Sequence, residues 1–122
     1  MRIRGLTFVG TSTDDADGMA ELVREVLGLP AVPVAGSGHQ FFALPDGSTF
    51  AIGPSDGTGA AGGDSRTIGF LVDDVDEAAA ELRAAGVPTD DDVSINSRYR
   101  YTHFRAPDGH VYELVEQVQP PG

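Results

Sequence analysis

The sequence predicts an α+β fold made of two βαβββ repeats. A Pro-Asp-Gly turn occurs twice between apolar, strand-like runs, at residues 45–47 and 107–109, which is an offset of 62 (107 minus 45). Residues 8–17 also align with residues 67–76 at an offset of 59 (67 minus 8), and both runs change from strand-like to helix-like character. Two matching turns in two matching settings indicate an internal duplication.

The first half contains a strand, a helix and three further strands. Residues 2–13 are apolar and β-branched and predict the first strand. Asp14 and Asp15 are candidate N-caps for a helix whose apolar residues fall at i, i+3, i+4 and i+7. These residues are Met19, Leu22, Val23 and Val26. A short strand at residues 31–35 and a hairpin at residues 39–52 complete the half.

A Gly-rich run at residues 53–66 has no apolar periodicity and predicts a flexible linker between the halves. It contains a formal GxGxxG motif, but no helix follows for a pyrophosphate to cap, so we reject a dinucleotide site. We therefore expect a single domain over residues 1–122, with halves at about 1–54 and 65–118. Each half leaves one sheet face uncovered, so the halves must pair within the chain or between chains.

The second half repeats the order of the first. Residues 67–72 predict a strand, and Asp74 with Glu77 forms a candidate capping box for the next helix. The apolar stripe of that helix is Val75, Ala78, Ala79 and Leu82. Residues 93–101 predict a strand or an ordered loop, and a hairpin at residues 103–116 ends the fold.

Composition and charge exclude several classes of function. The formal net charge is −11, which argues against a nucleic-acid or anionic-membrane partner and weakly favours a cationic ligand. No apolar run approaches the ~18 residues that span a bilayer, and the N-terminus does not resemble a signal peptide. Cysteine is absent, which excludes thiolate chemistry and fits a cytoplasmic location. The acidic run at residues 90–92 is interpreted as a solvated loop.

The duplicated pattern resembles the vicinal oxygen chelate superfamily, which includes glyoxalase I, extradiol dioxygenases and bleomycin-binding resistance proteins. The resemblance extends over residues 3–117, and its most specific parts are residues 67–82 (TIGFLVDDVDEAAAEL) and 104–116 (FRAPDGHVYELVE). It implies a curved mixed sheet around a cleft, a small-molecule ligand and a homodimer.

The resemblance also implies four metal-ligand positions, which are mostly unsuited to a metal in this chain. Metal-dependent members carry His or Gln early in each first strand and Glu late in each last strand. The first-strand positions are Phe8 and Thr67, and the last-strand positions are Ala51 and Glu113. Only Glu113 could ligate in the family manner, so no bound metal is expected, with a divalent metal as the alternative.

The remaining candidates could complete a ligand site around Glu113. This carboxylate could contact a cationic ligand, act as an acid or base, or pair with an arginine, the candidates being Arg98, Arg100 and Arg105. His103 could face the cleft with Glu113 or be an ordinary strand histidine. Aromatic residues could stack on a ligand, although about half should be core. They are Phe41, Phe42, Phe50, Tyr99 and Tyr101, with Phe8 as a cleft wall.

Three functions follow from these observations. The first is a metal-independent small-molecule binding protein, which could sequester a cationic or aromatic antibiotic. The second is a metal-dependent lyase, isomerase or dioxygenase with a nonstandard site at Glu113 and His103. The third is an accessory domain whose output is dimerisation.

Overall fold

The computed structural model describes residues 1–55 and 66–118. The Gly-rich motif and the C-terminal residues 119–122 lie outside this part, so the linker prediction stays a prediction. The elements in chain order are β1 (Gly5–Thr13), α1 (Ala16–Glu21), β2 (Ala31–Val32), β3 (Gln40–Ala43), β4 (Thr49–Pro54), β5 (Arg66–Leu71), α2 (Val75–Ala84), β6 (Ser94–Ile95), β7 (Tyr99–Arg105) and β8 (Val111–Gln117).

All eight strands form one mixed sheet in the order β2-β3-β4-β1-β5-β8-β7-β6. Within each half, the first and last strands are parallel neighbours (β1 with β4, β5 with β8). The halves join through the antiparallel pair β1 and β5, where Phe8 lies opposite Gly69 and Gly10 lies opposite Thr67. Phe8 is equivalent to Thr67 in the repeat, and Gly10 is equivalent to Gly69, so exchanging the two halves reproduces the same two pairs. The register is therefore consistent with an internal two-fold axis between β1 and β5. The predicted α+β fold of two βαβββ repeats is confirmed.

The sheet curls, and the two helices cover its convex face. Helix α1 packs against β3 and β4 through Ala20, Val23, Phe42 and Ile52. Helix α2 packs against β8 through Val72, Val75, Ala78 and Leu114. Side chains alternate across a strand, so the neighbours of these residues point into the concave face. Neither helix in the described part of the chain is long and apolar enough to cross a membrane.

The first helix differs from its predicted periodicity. The side chain of Asp15, not Asp14, caps it by accepting a hydrogen bond from the Gly18 amide. After Glu21 the helix widens into a π-helical turn over Leu22–Val26. This turn rotates the chain, so Val23 is buried while Leu22 and Val26 are 43% and 73% exposed. The predicted helix forms, but the spacing of its four apolar residues does not place these two against the core.

The two predicted Pro-Asp-Gly turns are confirmed. Gly47 and Gly109 have φ of +89° and +85°, a region that suits glycine. Each turn is also held by its aspartate: Asp46 accepts a hydrogen bond from the Ser48 amide, and Asp108 accepts one from the His110 amide.

The first strand of the last hairpin begins before residue 103, where it was predicted to begin, and residues 93–101 divide between two strands. The Asn96 side-chain oxygen accepts hydrogen bonds from the amides of Arg98 and Tyr99, at 2.9 and 2.8 Å. This side chain makes a turn between β6 and β7, so β7 starts at Tyr99. The strand predicted at residues 31–35 is correspondingly short and covers only Ala31–Val32.

Candidate functional site

The four positions implied by the family resemblance lie together on the concave face. Gly10 is the direct neighbour of both Ala51 and Thr67 across the central strands. Phe8 lies two residues from Gly10 and opposite Gly69, and Gly69 is in turn the neighbour of Glu113. The same face of four adjacent strands therefore presents all four side chains.

The Phe8 side chain fills the middle of this face. Its ring packs against Phe41 and Tyr99, with ring centroids 5.9 and 6.2 Å apart. The ring also lies over Gly10, where an added Cβ would be 2.9 Å from the ring Cζ. Phe41, Ala51 and Tyr99 are all at least 95% buried. The first half of the concave face is consequently a packed aromatic cluster.

Tyr99 links the two halves across this face. It begins β7 in the second half, but its hydroxyl lies 2.8 Å from the Thr49 hydroxyl on β4 and 3.4 Å from the Thr7 carbonyl oxygen on β1. A buried phenol needs such partners because an unpaired hydroxyl is costly to desolvate. This side chain fixes the aromatic cluster against the second half.

An ionic cluster occupies the second half of the same face. His103 and Glu113 are cross-strand neighbours on β7 and β8, and Nε2 of the imidazole lies 2.8 Å from Oε1 of the carboxylate. On the other side of the ring, Nδ1 lies 2.9 Å from Oδ2 of Asp90. Glu113 is 8% exposed. The histidine therefore bridges a buried carboxylate and a surface carboxylate.

This bridge holds His103 in its charged form. Burial favours the neutral ring, but the hydrogen bonds and negative charges of Glu113 and Asp90 outweigh it and raise the pKa of His103 to about 9. Tyr101 packs edge-on against the imidazole, with centroids 5.7 Å apart. Burial and the charge of Glu113 also raise the pKa of Tyr101.

A cleft of about 220 Å³ opens beside this cluster. It is lined by Pro88, Thr89, Asp90, His103, Phe104, Arg105 and Val111. Arg105 is exposed and donates through Nη1 to the Gly109 carbonyl oxygen at 2.6 Å. The carboxylate of Glu113 is paired with His103 and not with Arg98, Arg100 or Arg105. Arg100 binds Asp76 and Glu116 instead.

Of the candidate residues predicted from the sequence, the structure separates Phe42 and Phe50 from the rest. The neighbours of Phe50 on β4 point into the concave face, so Phe50 points to the convex side and packs against the cluster of Ala20, Val23, Phe42 and Ile52. The expectation that Phe50 lines the ligand site is wrong for this reason. The concave face does bring together Phe8, Ala51, Thr67, Tyr101, His103 and Glu113, with Arg105 at the rim of the cleft.

Asp90 belongs to the site, although it lies in the acidic run at residues 90–92 that was predicted to be a solvated loop. The segment before it pairs with β7, because the Arg105 amide donates to the Pro88 carbonyl and the Asp90 amide donates to the His103 carbonyl. That pairing brings the Asp90 carboxylate to the histidine. Nothing in the sequence near Asp90 predicts this long-range pairing. The repeat makes Phe41 the first-half equivalent of His103, since the two differ by 62 positions, and Phe41 lies opposite Ala51 as His103 lies opposite Glu113.

The residues at the family positions do not fit a metal ion. Phe8 and Ala51 offer no donor atom, and a Thr hydroxyl is a weak ligand. Asp90, His103 and Glu113 cannot replace them, because the two carboxylates sit at opposite ring nitrogens and do not converge on one point. Among residues 1–55 and 66–118, no group of three or more His, Asp or Glu side chains is arranged to hold a metal.

Solved structures share this fold. A methylmalonyl-CoA epimerase from Mycobacterium tuberculosis superposes with a TM-score of 0.77 at 21% identity, covering 96% of this chain and 90% of that one. A hypothetical protein from Bacillus halodurans C-125 gives 0.76 at 16% identity, covering 96% of both chains. The Streptomyces coelicolor methylmalonyl-CoA epimerase in complex with 2-nitronate-propionyl-CoA gives 0.73 at 23% identity, covering 97% of this chain and 100% of that one.

These likenesses establish the fold and not the activity, because all three identities are below 25%. Among curated protein sequences, none matches this chain significantly. The profile of one protein family does match, over residues 5–114, which is nearly the whole chain. The chain therefore belongs to the Glyoxalase/Bleomycin resistance protein/Dioxygenase superfamily.

Proposed function

We propose that this protein binds a small molecule on its concave face without a metal ion. The observation that carries the proposal is the Phe8 side chain, which packs with Phe41 and Tyr99 where metal-dependent relatives would need a donor atom. Binding needs a groove that is largely apolar and has a few placed polar groups. The aromatic cluster and the Glu113–His103 pair beside it have this composition.

The ligand that suits this groove is cationic, aromatic or both, such as a cationic antibiotic. Both nitrogens of His103 are occupied by carboxylates, so the histidine has no donor left for a ligand. The Oε2 atom of Glu113 makes no hydrogen bond to another residue in the described part of the chain, and it can accept one. A ligand with N–H donors matches this atom, and the net charge of −11 favours the approach of a cation.

An enzyme is the second candidate, and the contact between His103 and Glu113 favours it. A histidine 2.8 Å from a buried carboxylate can take part in proton transfer in a lyase or isomerase. Two features of His103 make proton transfer a weaker candidate than binding. The histidine is charged at neutral pH and therefore is not a base, and its protons are already shared with two carboxylates. A dimerisation domain is a third candidate. A homodimer is compatible with each of the three candidate functions.

The proposal can be tested with two aromatic probes of opposite charge after dialysis against EDTA. We expect cationic thioflavin T to bind with saturation and to raise the Tm, whereas anionic 8-anilinonaphthalene-1-sulfonate binds more weakly. Glu113→Gln should weaken thioflavin T binding about tenfold, which is about 1.4 kcal/mol, because the substitution removes the carboxylate charge that attracts the cation. Glu25→Gln, at an exposed carboxylate on α1's π-helical turn, is the matched control.

Two results would overturn the proposal. One is thioflavin T binding that is equally strong in Glu113→Gln and in the wild type. The other is a metal-dependent rise in Tm that disappears in Glu113→Ala, which would favour the enzyme and lead to lyase and dioxygenase assays.

A further inference from the structure

The two outer edges of the curled sheet are joined to each other. The Ser97 amide donates to the Ala35 carbonyl oxygen at 2.9 Å, and the Ala35 amide donates to Oγ of Ser97 at 2.8 Å. Ala35 follows β2 and Ser97 follows β6, so these bonds connect the opposite ends of the strand order. We call Ala35, Gly36, Asn96 and Ser97 the clasp.

Both loops of the clasp have a defined local conformation. Gly36 has a φ of +86°, a conformation that is strained for any residue with a side chain, and an added Cβ would already be in van der Waals contact with the Asn96 Cα at 3.4 Å. On the other side, the Asn96 side chain holds its own turn by accepting from two amides. Ala35 and Ser97 also differ by 62 positions, the offset of the sequence repeat, so the internal two-fold axis brings equivalent residues together.

The clasp closes over the aromatic end of the groove. Tyr99 begins two residues after Ser97, and Val32 and Val34, which precede Ala35, pack against the cluster of Phe41 and Tyr99. Both of these aromatic residues are at least 95% buried. The ionic end is different, because His103 borders the open cleft beside Asp90. A ligand that contacts only the ionic end can bind to the closed form, but one that also stacks on the aromatic cluster cannot.

We propose that the clasp gates the groove, and that its opening admits an aromatic ligand spanning from Glu113 to Phe41 and Tyr99. This inference rests on the proposed function, since it concerns the same groove. The clasp is suited to opening because two hydrogen bonds join two-residue edge strands, which are regions of low local stability. Its opening breaks no pair of the central strands β1, β4, β5 and β8.

A reversible cross-link tests the gate directly. The chain has no cysteine, so Ala35→Cys with Ser97→Cys gives a protein with one pair of thiols. We expect an intramolecular disulfide under mild oxidation, visible as a mass loss of about 2 Da. In the oxidised protein, the association rate constant of thioflavin T should fall at least tenfold, and reduction should restore it. The single variants Ala35→Cys and Ser97→Cys, treated with the same oxidant, are the controls.

Hydrogen exchange provides a readout that needs no ligand. Oxidation of the double variant should slow amide exchange in residues 31–43, and Ser97→Ala, which removes one clasp acceptor, should speed it. Failure of the disulfide to form would overturn the clasp, as would unchanged exchange in both proteins. Unchanged thioflavin T association in the oxidised protein would overturn the gate and leave the proposed function intact. Absence of binding even in the wild type would count against the proposed function, and the exchange data would still decide the clasp.

Discussion

Among single residues, His103 makes the stability of the protein depend on pH. Its pKa of about 9 in the folded chain exceeds the ordinary value of about 6.5 in the unfolded chain, so the folded state binds more protons between these values. The bridge to Asp90 and Glu113 therefore stabilises the fold fully below about pH 6.5, and this contribution is lost as the pH rises through 9. We expect the free energy of unfolding to fall by about 3 kcal/mol across this window.

Urea unfolding between pH 6 and 10 measures this dependence. His103→Gln should lower the stability at pH 6 and flatten the pH profile. A slope that persists in His103→Gln would mean that other groups cause it.

Thr102 is a second residue with a definite expected effect. It is fully buried, and its Oγ1 is a buried side-chain oxygen without a hydrogen-bond partner in residues 1–55 and 66–118. Thr102→Val keeps the shape and removes the unpaired hydroxyl, so we expect a gain of about 1 kcal/mol in the free energy of unfolding. Thr49→Val is the matched control, because Thr49 is equally buried but bonds Tyr99, and it should lose about 1–2 kcal/mol. Equal effects of both substitutions on the urea midpoint would contradict this account.

At the scale of elements, the cap of α1 separates two neighbouring aspartates that the sequence could not distinguish. Asp15 accepts a hydrogen bond from the Gly18 amide at 3.0 Å, whereas Asp14 is an exposed neighbour. Asp15→Ala should lower the free energy of unfolding by about 1 kcal/mol, because the Gly18 amide at the helix start loses its side-chain hydrogen-bond acceptor. Asp14→Ala should change it by less than about 0.5 kcal/mol. Thermal unfolding of the two variants provides the comparison. An equal loss of stability in both would mean that Asp15 is not the residue that caps the helix.

The helices also indicate which local features a sequence can predict. The Asp74 cap was predictable because it depends on residues within one turn: its side chain accepts from the Glu77 amide. The exposure of Leu22 and Val26 was not, because it follows from a π-helical turn whose wider spacing has no sequence signal in this chain. A periodic stripe predicts a helix reliably, but it predicts the buried face only if the helix stays regular.

At the scale of the whole molecule, the repeat predicts the sheet and the location of the site, but not the contacts within it. The offsets of 59 and 62 put Phe8, Thr67, Ala51 and Glu113 at equivalent places, and the structure brings them to one face. The bridge to Asp90 joins β7 to a loop for which the repeat predicts no contact, whereas the clasp joins Ala35 and Ser97, which the repeat relates by 62 positions without predicting that they touch. The first contact depends on the pairing of residues 88–90 with β7, and the second depends on the meeting of the two edges of the eight-stranded sheet.

A prediction about metal ions also concerns the whole molecule, because the four family positions lie on four different strands. If Phe8 and Ala51 are what prevents metal binding, then Ni²⁺, Zn²⁺, Mn²⁺, Fe²⁺ and Mg²⁺ should leave the Tm of the chelator-treated wild type unchanged. A triple variant, Phe8→His with Ala51→Glu and Thr67→His, supplies a donor at every family position beside Glu113. It should be stabilised by a divalent ion, by about 2.7 kcal/mol at a metal concentration one hundred times the Kd.

Comparing each protein with and without metal removes the packing cost of replacing Phe8, because that cost is present in both measurements. The triple variant with Glu113→Gln is the control and should lose most of the metal effect. Stabilisation of the triple variant alone would mean that the fold retains the geometry of a metal site and that two apolar side chains remove its chemistry. Stabilisation of the wild type would mean instead that Glu113 exchanges His103 for a metal, and the binding proposal would then give way to the enzyme.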